Sequence, residues 1–78
     1  MKITLKLFAS LKKCYPSGMG EDRLMELEPG TTIARLLGML DIRKDVVKII
    51  LRNGRHAEIE DVREDGDALA VFPPIAGG

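Results

Sequence analysis

The chain is poor in the residues that build disulfides and metal sites. Its 78 residues include one cysteine, Cys14, and one histidine, His56. A disulfide within the chain therefore has no second partner, and a metal site built on cysteines or on a pair of histidines lacks ligands. We expect Cys14 to be a small, half-buried apolar residue and His56 to be a solvated loop residue, so no catalytic role is assigned to either.

The chain also lacks an excess of charge of one sign and any long apolar run. Twelve basic and 12 acidic residues give a formal net charge of zero. Nucleic-acid binding depends on long-range attraction by a basic protein, which a neutral chain does not supply. No apolar run is long enough to span a membrane, and the alternating start of the chain is unlike a signal peptide. We expect a cytoplasmic protein with no nucleic-acid partner and no membrane partner.

What the chain does have is enough apolar sequence for one small domain. With 45% hydrophobic residues in 78, it is typical of a globular protein. An enclosed active-site cleft is hard to build on so little chain. The size therefore favours a module that works with partner proteins over a self-contained enzyme.

The periodicity of the apolar residues predicts the order ββαββ followed by a final strand. Apolar residues that alternate predict strands at residues 2–9, 23–28, 46–52, 55–58 and 68–72. The spacing of Ile33, Leu36, Leu37 and Leu40 predicts one amphipathic helix, with Thr31 or Thr32 as its N-cap.

The segments between these elements are predicted from their turn residues and charges. Residues 10–15 are predicted to form a short helical turn, and Asn53-Gly54 a tight hairpin. The acidic segment at residues 60–67 is predicted to be a solvated loop. The alternative is that it forms a docking surface for a basic partner.

One helix with one apolar stripe, packed across a sheet with one apolar face, is a two-layer α+β domain. The simplest arrangement is a β-grasp in which the first and last strands are central neighbours. The residues predicted to form its core are Ile3, Leu5, Leu7, Ile33, Leu36, Leu37, Leu40, Leu51, Leu69 and Val71. Alternation along the strands turns Phe8, Ile50 and Phe72 away from the helix, and we expect these three to form a docking surface for a partner.

The end of the sequence is the candidate reactive element. Pro73-Pro74 ends the last strand, because proline does not donate to a β-ladder. Residues 73–78 then form an arm that reaches roughly 20 Å when extended, separate from a domain at residues 1–72. Gly77 and Gly78 carry no side chains, so they fit a channel too narrow for any Cβ. The arm would deliver the carboxylate of Gly78, which needs activation, for example adenylation by ATP; the alternative is a frayed, inert end.

Several motifs, spread over nearly the whole chain, carry a resemblance to a known family. They are ITLKLFA at residues 3–9, PGTTIARLL at 29–37, NG at 53–54, DGD at 65–67 and FPPIAGG at 72–78. In these motifs the chain resembles the MoaD/ThiS family of ubiquitin-like sulfur carriers, and most of all the molybdopterin synthase small-subunit type.

The resemblance implies a mechanism in which partners supply the catalytic groups. An E1-like, MoeB-like adenylyltransferase would use Mg-ATP to adenylate Gly78, and a sulfur donor enzyme would convert the adenylate to a thiocarboxylate. The tail would then enter a MoaE-like large subunit of molybdopterin synthase, and the two kinds of subunit would form a heterotetramer. Gly77 would allow the passage of the tail. The residues that would contact the partner are Pro73, Pro74, Ile75 and Ala76. No stably bound cofactor and no metal are implied.

Three alternatives remain open from the sequence. The first is a sulfur carrier for another pathway, such as thiamine, cysteine or tungsten-cofactor synthesis. The second is a ubiquitin-like modifier joined through Gly78 to lysines of target proteins. The third is an interaction module whose tail is inert.

Overall fold

Five strands form one mixed sheet, and a single α-helix packs across one of its faces. The computed structural model describes residues 1–16, 18–20, 22–62 and 64–74. The strands and the helix, in chain order, are β1 (Lys2–Leu7), β2 (Leu24–Glu26), α1 (Ile33–Met39), β3 (Ile49–Arg52), β4 (Arg55–His56) and β5 (Ala68–Phe72). Two 3-10 helices, Ala9–Cys14 and Lys44–Val46, precede β2 and β3 respectively. This is the predicted α+β, β-grasp arrangement.

The order of strands across the sheet is β2-β1-β5-β3-β4. The central pair, β1 and β5, is parallel and aligns Leu5 with Leu69 and Leu7 with Val71. The other neighbouring pairs are antiparallel. The first and last strands are therefore central neighbours, as their apolar alternation predicted.

Helix α1 is held at its start by a side-chain cap and by the acidic connector. Thr32 is the N-cap, and its hydroxyl accepts a hydrogen bond from the Arg35 N–H at 3.1 Å. The carbonyls of Ile59 and Asp61 accept from the N–H groups of Ala34 and Ile33 at 2.7 and 2.9 Å. The predicted loop at residues 60–67 is exposed over most of its described length, as expected, and its Asp61 carbonyl in addition satisfies the first amide of the helix.

The core contains nine of the ten predicted residues and omits one. Leu51 is half-buried, so its assignment to the core is wrong. Ile50 is buried instead, and Leu11, Leu27 and Ile42 join the core without having been predicted. Among the described residues, the buried hydrophobic residues are Ile3, Leu5, Leu7, Leu11, Leu27, Ile33, Leu36, Leu37, Leu40, Ile42, Ile50, Leu69 and Val71.

Several strands are shorter than the sequence predicted. β1 ends at Leu7, because Ala9 takes a positive φ of 52° and opens a 3-10 helix. β3 begins at Ile49, because residues 44–46 form the second 3-10 helix. The hairpin at Asn53-Gly54 is confirmed, with φ values of 53° and 83°. In the part of the chain that the structure describes, no helix has the length and apolar character to cross a membrane.

Candidate docking face and tail

Two phenylalanines form a stacked pair on the sheet face opposite the helix. The parallel register of β1 and β5 pairs Leu7 with Val71, and so brings the following residues, Phe8 and Phe72, side by side. Their ring centroids are 4.3 Å apart and the ring planes differ by 8°. Both rings are half-buried. The expected proximity of Phe8 and Phe72 on the open face is confirmed, whereas their role in binding a partner stays a prediction.

The third residue expected on this face, Ile50, lies elsewhere. It is 7% exposed and belongs to the core, so its placement on the open face is wrong. The neighbouring Ile49 pairs directly with Phe72 and is 37% exposed, and Leu51 pairs with Ala70. Residues of β3 with odd numbers therefore face outwards, the reverse of the predicted alternation.

These residues together form the open-face patch, which consists of Phe8, Ile49, Leu51, Ala70 and Phe72. An apolar cluster of this kind on one face is typical of a protein–protein contact site. His56, across from Leu51 in β4, is exposed at the margin of the patch. It is solvated, as expected, but it lies in strand β4, whereas a loop position had been expected for it. Cys14 is half-buried and packs against the core, as expected.

The tail leaves the sheet directly beside the open-face patch. The Lys48 N–H donates to the carbonyl of Phe72 at 2.8 Å, at the end of β5. Pro73 is half-buried and Pro74 is exposed. The other residues to which a site role was assigned, Ile75, Ala76, Gly77 and Gly78, lie outside the described residues. The boundary between a domain at 1–72 and a tail at 73–78 therefore stays a prediction.

A buried carboxylate fixes the start of the strand that leads to the tail. Asp67 precedes β5 and its side chain is 8% exposed. Its carboxylate accepts from Arg52 Nε at 2.8 Å, from Asn53 Nδ2 at 3.0 Å and from the Glu64 N–H at 2.8 Å. The amide oxygen of Asn53 in turn accepts from the Ala68 N–H at 2.8 Å. The β3–β4 hairpin is thereby tied to β5.

The pKa of Asp67 reflects these contacts. Burial alone raises it, but the hydrogen bonds from the Glu64 N–H, Asn53 and Arg52 outweigh burial and leave the pKa below its ordinary value. In the sequence Asp67 and Asn53 are recognisable only as turn residues, and this network was not predicted. The sequence signal for this network was the presence of a carboxylate, Asp67, and an amide, Asn53, at two turns next to neighbouring strands.

Tyr15 provides a hydrogen-bond partner for the part of β1 that lies beyond its pairing with β2. Its hydroxyl accepts from the Leu7 N–H at 2.7 Å, and Arg23 lies over its ring at 4.0 Å from the centroid. The backbone at the end of β1 is therefore satisfied without a longer β2. Among the described residues, no group of three or more His, Cys, Asp and Glu side chains is arranged to hold a metal ion. The structure therefore places the open-face patch, a candidate docking face, beside the start of the tail.

Comparison with known proteins agrees with this geometry. The model of the ThiS family matches residues 5–78, which is nearly the whole chain. The chain belongs to the ThiS family. It is thus a ThiS/MoaD-like β-grasp protein, of the class that comprises sulfur carriers and ubiquitin-like modifiers. No curated protein sequence matches the chain.

Solved structures of the same fold include members from archaea and bacteria. The ThiS-family chain is 27% identical to SAMP1 from Haloferax volcanii, over 100% of both chains, with a TM-score of 0.69. It is 26% identical to a putative molybdopterin converting factor, subunit 1, from Pyrococcus furiosus, over 95% of this chain and 98% of that one, with a TM-score of 0.69. A complex of subunits 1 and 2 of the molybdopterin-converting factor from Helicobacter pylori matches at 18% identity, over 100% of both chains, with a TM-score of 0.59, and shows the fold alone.

Proposed function

We propose that the chain is a sulfur carrier of molybdopterin biosynthesis, acting as the small subunit of molybdopterin synthase. The observation that carries the proposal is the match to the ThiS family through to Gly78, on a fold that ends β5 beside an apolar docking face. The similarity to the Pyrococcus furiosus subunit, whose name refers to molybdopterin conversion, supports this pathway.

In the proposed cycle the chain supplies the acyl group and its partners supply the catalysis. The Gly78 carboxylate attacks the α-phosphorus of Mg-ATP within an E1-like adenylyltransferase, and pyrophosphate leaves. Hydrosulfide delivered by a donor enzyme then attacks the carbonyl carbon of the acyl adenylate, and AMP leaves with the bridging oxygen. The product is a thiocarboxylate at Gly78, from which sulfur passes to the pterin precursor in the large subunit.

The open-face patch has the expected role of binding these partners. Phe8, Ile49 and Phe72 offer apolar surface next to Pro73, so a partner that covers the patch also receives the tail. The Gly77-Gly78 end has no side chain to obstruct a narrow channel. Ile75 and Ala76 are proposed to contact the walls of that channel. The Helicobacter pylori structure is a complex of subunits 1 and 2, which supports a MoaE-like partner for this chain; a heterotetramer is the assembly proposed for the two.

The proposal is tested by intact mass spectrometry of the chain after incubation with the adenylyltransferase of its own cells, Mg-ATP and a sulfur donor. We expect a gain that corresponds to one oxygen-to-sulfur exchange, and its loss when the pterin precursor and a competent large subunit are added. A chain that acquires no sulfur contradicts the carrier role. A chain that acquires sulfur but does not pass it to the pterin contradicts only the molybdopterin assignment.

A second candidate function is protein modification through Gly78. The observation in its favour is the 27% identity, over both full chains, to SAMP1, which is described as a small archaeal modifier protein. In this case peptides from the digested proteome of the source cells should carry remnants of the tail on lysine side chains. These remnants should disappear when the chromosomal copy lacks the codon for Gly78.

A further inference from the structure

Four lysines surround the end of β5, from which the tail departs. Lys12 and Lys13 lie in the last turn of the 3-10 helix Ala9–Cys14, which contacts both β1 and β5. Lys44 lies in the second 3-10 helix, and Lys48 donates its N–H to the Phe72 carbonyl. All four are exposed. We call Lys12, Lys13, Lys44 and Lys48 the lysine collar.

The order of the strands places the collar on both sides of the tail. The 3-10 helix that carries Lys12 and Lys13 follows β1, which is the neighbour of β5 on one side. The segment with Lys44 and Lys48 leads into β3, which is the neighbour of β5 on the other side. A chain that continues from Phe72 therefore emerges between two backbone segments that each carry two exposed lysines.

The charge of the collar is not neutralised by ion pairs within the part of the chain that the structure describes. Asp45, the nearest acid in sequence to Lys44, is paired with Arg43 at 2.6 Å. Glu58 borders the same cleft as Lys44 and Lys48 but forms an ion pair with neither. The collar therefore presents free positive charge to whatever approaches the tail.

The opposite end of β5 is surrounded by acidic groups. Asp65 accepts from the Lys2 N–H at 2.7 Å, and Asp67 immediately precedes the strand. Glu26 and Glu64 lie at the same end, paired with the N-terminal amine and with Arg52. Because the formal net charge is zero, positive charge gathered at the tail end is balanced by negative charge elsewhere. Three of these acids are paired with cations at their own end of β5, whereas the collar lysines form no ion pair among the described residues, so unpaired positive charge lies at the end of the strand where the tail leaves.

We propose that the lysine collar guides the tail into a partner whose channel mouth is rimmed by acidic side chains. This inference rests on the proposed function, since it names the chemistry of the surface that receives the tail. A neutral protein with separated charges is oriented by the field of a partner, so that productive encounters become more frequent. Rim charges of this kind act mainly on the association rate and on its dependence on salt.

The test is the rate of association with the adenylyltransferase of the source cells, measured by stopped-flow fluorescence at low and at high ionic strength. In the variant K12Q/K13Q/K44Q/K48Q we expect the association rate constant at low ionic strength to fall by about tenfold or more, with little change in dissociation. The difference from wild type should shrink at high ionic strength, because salt screens the charges.

A matched control separates the position of the charges from their number. The doubles K12Q/K13Q and K44Q/K48Q each remove two positive charges at the tail end, and K2Q/R55Q removes two at the other end, from exposed side chains. Slower association in the first two alone supports the inference. Equal rates in all variants, an equal loss in the control, or wild-type association that is insensitive to salt overturns it.

Two further outcomes have defined meanings. Wild-type chain that binds the enzyme but shows no effect of the collar overturns the inference and leaves the proposed function intact, whereas wild-type chain that does not bind contradicts both. A collar-dependent affinity for a single-stranded RNA oligonucleotide, with unchanged association to the enzyme, identifies a nucleic acid as the occupant and overturns the inference as well.

Discussion

At the scale of single residues, the hydrogen bonds and the burial of Asp67 determine the pKa of its carboxyl group. Its pKa is lowered in the folded chain, because hydrogen bonds from the Glu64 N–H, Asn53 and Arg52 outweigh the effect of burial, which acts in the opposite direction. A group with a lowered folded pKa stabilises the fold above its unfolded pKa, about 3.9 for aspartate. This stabilisation is lost as the pH falls from there through the folded pKa.

We therefore predict that Asp67→Asn lowers the free energy of unfolding by about 1–3 kcal/mol at neutral pH, because donors on Arg52 and Glu64 lose a charged acceptor. Urea unfolding between neutral and acidic pH measures the effect. The variant should also lose less stability than wild type on acidification. Asp41→Asn is the control, since Asp41 is exposed and asparagine tolerates its positive φ of 62°. Parallel pH curves for wild type and Asp67→Asn would contradict the assignment.

Phe72 is the residue at which docking and folding are best separated. Its ring stacks on Phe8 but is only half-buried, so Phe72→Ala should cost on the order of 1 kcal/mol in folding stability. Affinity for the large synthase subunit should fall by about tenfold or more, as for an aromatic anchor of an interface. Isothermal titration calorimetry and thermal unfolding measure the two effects.

The control for this change lies on the same sheet face, outside the open-face patch. Leu24 in β2 is 46% exposed, and Leu24→Ala should alter neither affinity nor stability appreciably. The opposite pattern for Phe72→Ala, a collapse of stability with unchanged affinity of the folded fraction, would show that Phe72 is a core residue and that the patch is wrongly identified.

At the scale of elements, the strands with one apolar face were predicted well and β3 was not. In β1 and β5 the apolar residues alternate with polar or small ones, so the buried face is evident from the sequence. In β3 both faces are apolar, with Ile49 and Leu51 on one and Ile50 on the other. Alternation led to the assignment of Leu51 to the core. However, Ile49 and Leu51 pair with Phe72 and Ala70 of the neighbouring strand, on the open face. A strand that serves both a core and a docking face gives no unique answer from periodicity.

Helix α1 provides a prediction with a control on the same element. Leu36 is fully buried and packs with the sheet, whereas Met39, three residues later, is 57% exposed. Leu36→Ala should destabilise the fold by about 2–5 kcal/mol, because it leaves a cavity in the core. Met39→Ala should have almost no effect, since alanine is also a strong helix former. Equal losses in chemical denaturation would show that the core does not lie beneath this face of α1.

At the scale of the whole molecule, the sequence predicted that Phe8 and Phe72 are neighbours but did not predict the charges around them. The apolar pair Phe8 and Phe72 followed from strand alternation and from the neighbouring positions of β1 and β5. The Asp67 network and the lysine collar depend on contacts between segments far apart in sequence. For example, the backbone N–H of Lys48 donates to the carbonyl of Phe72, 24 positions further on. Charges that cancel in the composition of the chain are separated in space only once the strand order is known.

The proposed division into a folded domain and a reactive tail predicts that folding and activation are lost independently. Within residues 1–74, as far as the structure describes them, the buried core residues lie between Ile3 and Val71, so deletion of Gly78 should leave the thermal unfolding midpoint unchanged. The same deletion should abolish the mass gain on incubation with the adenylyltransferase, Mg-ATP and a sulfur donor, because it shortens the reach of the carboxylate. Gly77→Val should nearly abolish it, since a β-branched side chain restricts the backbone and fills the channel. Gly38→Ala, in α1, where an added Cβ meets nothing within 4 Å, is the control that should still gain sulfur. Full activation of the chain without Gly78 would show that the carboxylate of Gly78 is not the group that is adenylated.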